Sequence, residues 1–67
     1  MNPASLKTPV EILEAAMEKE TAARDFYAHL ARHCHVDFVR DLLFRLQNEE
    51  EKHMDLIRKM LVRVRAG

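Results

Sequence analysis

Glu20, Glu50 and His53 are the residues of this chain whose types and spacing could do chemistry. Glu50 and His53 stand three positions apart, so on a helix they share one face and can reach a common ion. Glu20 lies thirty positions upstream and would add a second carboxylate. All three fall where the pattern of the chain calls for apolar side chains. Leu13, Ala16, Glu20, Ala23, Tyr27, Leu30 and Cys34 recur at steps of three and four, as do Leu43, Leu46, Glu50, His53, Ile57, Met60 and Val64. An ionised carboxylate on an apolar seam must be neutralised, paired with a cation or bound to a metal.

Mixed oxygen and nitrogen donors without a thiolate favour iron or manganese over a structural zinc site, although zinc and cobalt fit the same donors. An iron site of this kind could cycle between ferrous and ferric states with oxygen or peroxide, which is oxidase chemistry. Two metal-free arrangements compete with it. Glu20 could pair along its helix with Arg24, and Glu50 with His53 could form a buried polar contact that sets register in a helical dimerisation module.

The elements that must position these groups are two helices. Thr8-Pro9-Val10-Glu11 combines a capping threonine, proline at the first helical position and glutamate three residues after the cap, so a helix is predicted over 9–32 behind a short lead-in, 1–7. His33-Cys34-His35-Val36 marks a turn, and Asp37 is positioned to cap a second helix over 38–65. So short a connection makes an antiparallel hairpin. Glu20 lies fourteen residues before Cys34, and Glu50 and His53 lie thirteen and sixteen after Asp37. All three are therefore about 20–24 Å from the turn and level with one another.

A 67-residue chain with one cysteine has no internal disulfide and little core, so association or a metal must stabilise it. Ile12, Val39, Leu42 and Leu61 are expected to face away from the partner helix, and a homodimer would close them into a four-helix bundle. Two chains then supply four carboxylates and two imidazoles for two metal ions. Met17 and Met54 should keep the site dry; Glu49 and Glu51 should be solvated, with Glu49 able to line an iron access path. Eleven basic residues balance eleven acidic ones, so neither nucleic acid nor an anionic membrane surface is an expected partner. Arg58, Lys59, Arg63 and Arg65 complement the dipole at the end of the second helix. No run approaches the length of a membrane span, and a lone thiol suits a reducing compartment, so a soluble cytoplasmic protein is expected.

The run Glu20-Thr-Ala-Ala-Arg-Asp-Phe-Tyr27-Ala-His-Leu-Ala31, followed by Leu46-Gln-Asn-Glu-Glu50-Glu-Lys-His53, resembles a rubrerythrin-type domain of the ferritin-like superfamily, reduced to one hairpin. One Glu from each of two helices and Glu-x-x-His from each of two others is the ligand set of di-iron and di-manganese carboxylate bundles. The two-helix form is most similar to the encapsulated ferritins. That resemblance implies Glu20, Glu50 and His53 as ligands, two irons per dimer, ferroxidase-type oxidoreductase activity on Fe(II), and Tyr27 as a partner of a ligand in catalysis. It also implies a homodimer or higher homo-oligomer. An encapsulin shell is the further partner it suggests, although Leu61-Val-Arg-Val-Arg-Ala-Gly67 contains no recognisable targeting peptide.

Overall fold

Thr8 starts the first helix. In the computed structural model, which describes residues 8–67, its hydroxyl accepts the Glu11 amide at 3.1 Å and donates to Glu11 Oε1 at 3.0 Å. Pro9, with its fixed φ and no amide hydrogen, fits the first helical position. Helix α1 then runs Pro9–Arg32 and helix α2 runs Asp37–Arg65, with no strand among the described residues. The expected lead-in, residues 1–7, lies outside them.

The start of α2 differs from the expectation. Val36, in extended conformation, precedes the helix and makes no side-chain cap, while Asp37 is its first helical residue. The Asp37 carboxylate is held instead by Arg40, Nη2 to Oδ1 at 2.8 Å, one turn along. At the first position it still meets the positive end of the helix dipole, so it contributes charge rather than a cap.

The two helices pack along their lengths into a slab of 46 × 24 × 12 Å, which is one helix thick. The radius of gyration, 14.7 Å, exceeds the roughly 11 Å of a compact chain of this length. A single layer cannot enclose a core. Accordingly, only Ala31, Met54 and Leu61 are buried among the described residues. Leu61 corrects the expectation that it faces outward: it sits on the line of contact with α1, seven residues from Met54. Ile12, Val39 and Leu42 are exposed.

Helical rotation of about 100° per residue sorts the remaining side chains into two faces. To one side of the contact line lie Ala16, Glu20, Ala23 and Tyr27 of α1, with Leu46, Glu50, His53 and Ile57 of α2 beside them. To the other side lie Glu14 and Arg24 of α1 and Glu51 and Arg65 of α2. These join across the hairpin, Arg24 Nη1 to Glu51 Oε1 at 3.0 Å and Arg65 Nη2 to Glu14 Oε1 at 2.7 Å. One face of the slab is thus polar and cross-linked by ion pairs. The other is apolar and carries two glutamates and a histidine.

Candidate metal centre

α1 supplies Glu20 from its middle turns, and α2 supplies Glu50 and His53 from successive turns of one face. His53 Nδ1 stands 3.5 Å from Glu20 Oε2 and 3.6 Å from Glu50 Oε2. One ligand atom from each residue lies within 4.8 Å of the other two. The structure therefore brings all three sequence-derived candidates into one cluster. Levelling works because both helices run regularly from the turn: α1 to Arg32 and α2 from Asp37, without a break.

The cluster is graded in depth. The Glu50 side chain is 17 % exposed, that of Glu20 30 % and that of His53 49 %. Glu50 Oε2 is shut off from solvent and has no hydrogen-bond partner. At 3.6 Å, the imidazole is too far to donate to it. Such an orphaned carboxylate oxygen is costly and calls for a proton or a cation. The same environment raises the affinity of Glu50 for a proton. The Glu20 carboxyl, with which a protonated Glu50 would share a hydrogen bond, is the largest cause; burial and the like charge of Glu20 add to it, and His53 opposes.

Among the described residues no lysine or arginine pairs with Glu20 or Glu50. Arg24, four residues beyond Glu20, turns to the polar face, where it bonds Glu51 and, through Nε and Nη2, Asp25 Oδ1 at 3.1 and 3.0 Å. Those bonds, with that to Glu51 the strongest, hold its guanidinium further into the charged form. The Glu20–Arg24 pair weighed from the sequence is thus not formed. Glu51, expected in solvent, is the partner sequence reasoning missed. The spacing gave no direct signal for it: Arg24 follows Glu20 by four and so lies close to its face of the helix, and only the rotation of the two helices against each other brings it to Glu51. Glu49 pairs with Lys52 at 3.5 Å on the exposed surface.

Met54, one residue beyond His53, is 3 % exposed and seals the inner side of the cluster, while Met17 is half-buried. Tyr27 is half-buried about 10 Å further along the rise of α1, its ring tilted against Phe26 at a centroid distance of 5.8 Å. Among the described residues its hydroxyl makes no hydrogen bond, so it reaches none of the three cluster residues within one hairpin.

The donor set fits a metal of the iron and manganese type. Two carboxylates supply hard oxygens and charge, an imidazole supplies nitrogen, no thiolate intrudes, and one oxygen has no other partner. A helical hairpin with such a cluster on its apolar face is a ferritin-like element. The sequence matches the Rubrerythrin family model over residues 11–67, and the chain belongs to the rubrerythrin family. Members of that family typically bind iron. No curated protein and no solved structure gives a significant match to the chain. Among the described residues no helix is long and apolar enough to cross a membrane.

Proposed function

We propose that two copies of this chain pack their apolar faces into a four-helix bundle and hold two irons between them, and that the protein oxidises Fe(II) with oxygen or peroxide. The observation that carries this reading is Glu50 Oε2: a partnerless, sequestered carboxylate oxygen within 4.8 Å of donors from Glu20 and His53, on a face that stays open in one hairpin. Three donor residues leave an iron undersupplied. A second hairpin would add three more and would cover the same face.

Bound iron would supply the one-electron ferrous–ferric couple. The chain's own residues supply the rest. Glu20 and Glu50 would offset the ionic charge and His53 would give a nitrogen donor. Met54 and Ile57 limit water on the inner side. In the absence of a cation, Glu50 keeps a proton more readily than an ordinary glutamate. Tyr27, on the same face, is the side chain we assign to assist the reaction as a polar partner of a ligand.

The antiparallel hairpin is what makes this chain similar to the encapsulated ferritins, a resemblance that suggests a shell protein as a further partner although residues 61–67 hold no recognisable targeting peptide. The lone thiol, Cys34, is what suits a reducing, cytoplasmic setting. A second reading rests on His53 standing between two carboxylates: a protonated imidazole could balance the cluster in a metal-free dimerisation module. Anaerobic Fe(II) titration with mass measurement in solution separates the two. Saturation at two irons per dimer, followed by a ferric absorption band when oxygen is admitted, is the expected outcome. A dimer indifferent to iron would reject the oxidase and leave the module.

A further inference from the structure

α1 carries a second cluster of metal-ligating side chains that the Glu20–Glu50–His53 centre does not use. His29 in the last turn of α1 and His33 at its C-cap are four residues apart, both exposed, with ring centroids 4.6 Å apart and planes at 58°. We propose that they form a surface site for one borderline divalent transition ion of the nickel, copper or zinc type.

The spacing suits the chemistry. With metal–nitrogen bonds of about 2.0–2.1 Å and each nitrogen roughly 1.2 Å from its ring centre, two cis imidazoles on one ion place their centroids about 4.5–5 Å apart. The observed 4.6 Å lies in that interval. The rings already stand near this separation, so chelation requires little displacement of either. An all-nitrogen pair selects ions that favour imidazole over the harder ions drawn to a carboxylate cluster. The last turn of α1 also presents the negative end of the helix dipole, which favours a cation. Asp25, a further turn back, is engaged by Arg24 through Oδ1, so water would fill the remaining positions on the ion.

This site is separate from the carboxylate cluster. His29 and His33 lie nine and thirteen residues beyond Glu20, about 14 and 20 Å of rise, and helical rotation points both away from the apolar face. The ion therefore stays accessible whether or not two hairpins associate.

Calorimetric titration of the untagged full chain with Ni(II) tests the proposal, with circular dichroism to verify that each variant keeps its helices. A binding step of one Ni(II) per chain, additional to any uptake by the Glu20–Glu50–His53 cluster, is expected; it disappears in both His29→Ala and His33→Ala and persists in His35→Ala. The same two variants should lose retention on immobilised Ni(II). A titration unchanged by His29→Ala and His33→Ala would overturn the assignment, as would a step abolished by His35→Ala. Fe(II) loading of the carboxylate cluster is read separately, so either site can fail without the other.

Discussion

Arg24 Nη1 bonds Glu51 Oε1 at 3.0 Å across the hairpin, on the face opposite the metal-type cluster. The contact turns the Arg24 guanidinium away from Glu20 and ties the two helices together close to the level of Glu20 and Glu50. It therefore has two consequences for the cluster: the carboxylates stay without internal neutralisation, and their helices keep a fixed register. Exposed ion pairs add little stability, so the value of this one lies in positioning. Arg24→Gln should leave the fold intact yet loosen iron binding, through a register that is less well held. Fe(II) affinity and thermal unfolding measured on the same variant check this; unchanged affinity would remove the positioning role.

Glu50→Gln should separate stability from binding. The amide keeps the shape of the side chain but removes one of two like charges and supplies a donor, so the metal-free protein should melt at a higher temperature near neutral pH. Iron should then add no stabilisation, whereas it raises the melting temperature of the parent chain by mass action. Thermal scans with and without Fe(II) read both effects. A variant stabilised by iron as strongly as the parent would exclude Glu50 as a ligand.

The pH dependence follows from the same residue. Glu50 binds its proton more tightly in the folded chain than in the unfolded one, so the folded state carries the extra proton. Stability must then fall as pH rises, beginning near the ordinary glutamate value and continuing until the raised folded value is passed. Below that window the contribution of Glu50 is fully favourable. Above it, two carboxylates face each other unrelieved. Urea unfolding of the metal-free protein across the acidic range should show this decline, and Glu50→Gln should flatten it. An equal slope in both proteins would place its origin elsewhere.

The sequence disclosed more of the site than of the packing around it. Thr8-Pro9-Val10-Glu11 was readable as a helix start because a side-chain cap is local chemistry, and Thr8 does accept the Glu11 amide. Glu20, Glu50 and His53 could be levelled because residue counts from a turn convert directly to rise. The depth of Leu61 was not legible. Steps of three and four define a broad apolar arc, and nothing in that spacing says which edge of the arc meets the neighbouring helix. The line of contact runs through Ala31, Met54 and Leu61, which places the expected seam to one side of it. The partner of Arg24 was not legible for a related reason: its reach along the helix to Glu20, weighed as an alternative, is visible in the sequence, while its reach across to Glu51 requires the rotation of both helices.

That displaced seam yields a prediction about assembly. Leu42 and Met60 are 50 % and 45 % exposed in one hairpin, on the same side of the contact line as His53. Replacing either with lysine should cost the hairpin itself little, since surface substitutions usually stay within about 0.5 kcal/mol. It should nevertheless abolish association and, with it, iron loading. Met54→Ala should behave differently, costing about 2–5 kcal/mol through loss of packing between the two helices. Sedimentation velocity over a concentration series distinguishes the two kinds of variant. A Leu42→Lys chain that still forms dimers would rule out this face as the interface.

Tyr27 gives the sharpest separation of chemistry from packing. Its ring packs against Phe26, and its hydroxyl makes no hydrogen bond among the described residues, so Tyr27→Phe leaves no partner unsatisfied within a hairpin. Stability and iron stoichiometry should both be unchanged. If the hydroxyl assists a ligand once the second hairpin is in place, the rate at which the ferric band appears should fall by about 10–100-fold, the usual effect of removing such a partner. Stopped-flow mixing of the Fe(II)-loaded variant with oxygen supplies the rate, and calorimetry supplies the stoichiometry. A parent-like rate would reduce Tyr27 to a core aromatic and leave Glu20, Glu50 and His53 to account for the reaction by themselves.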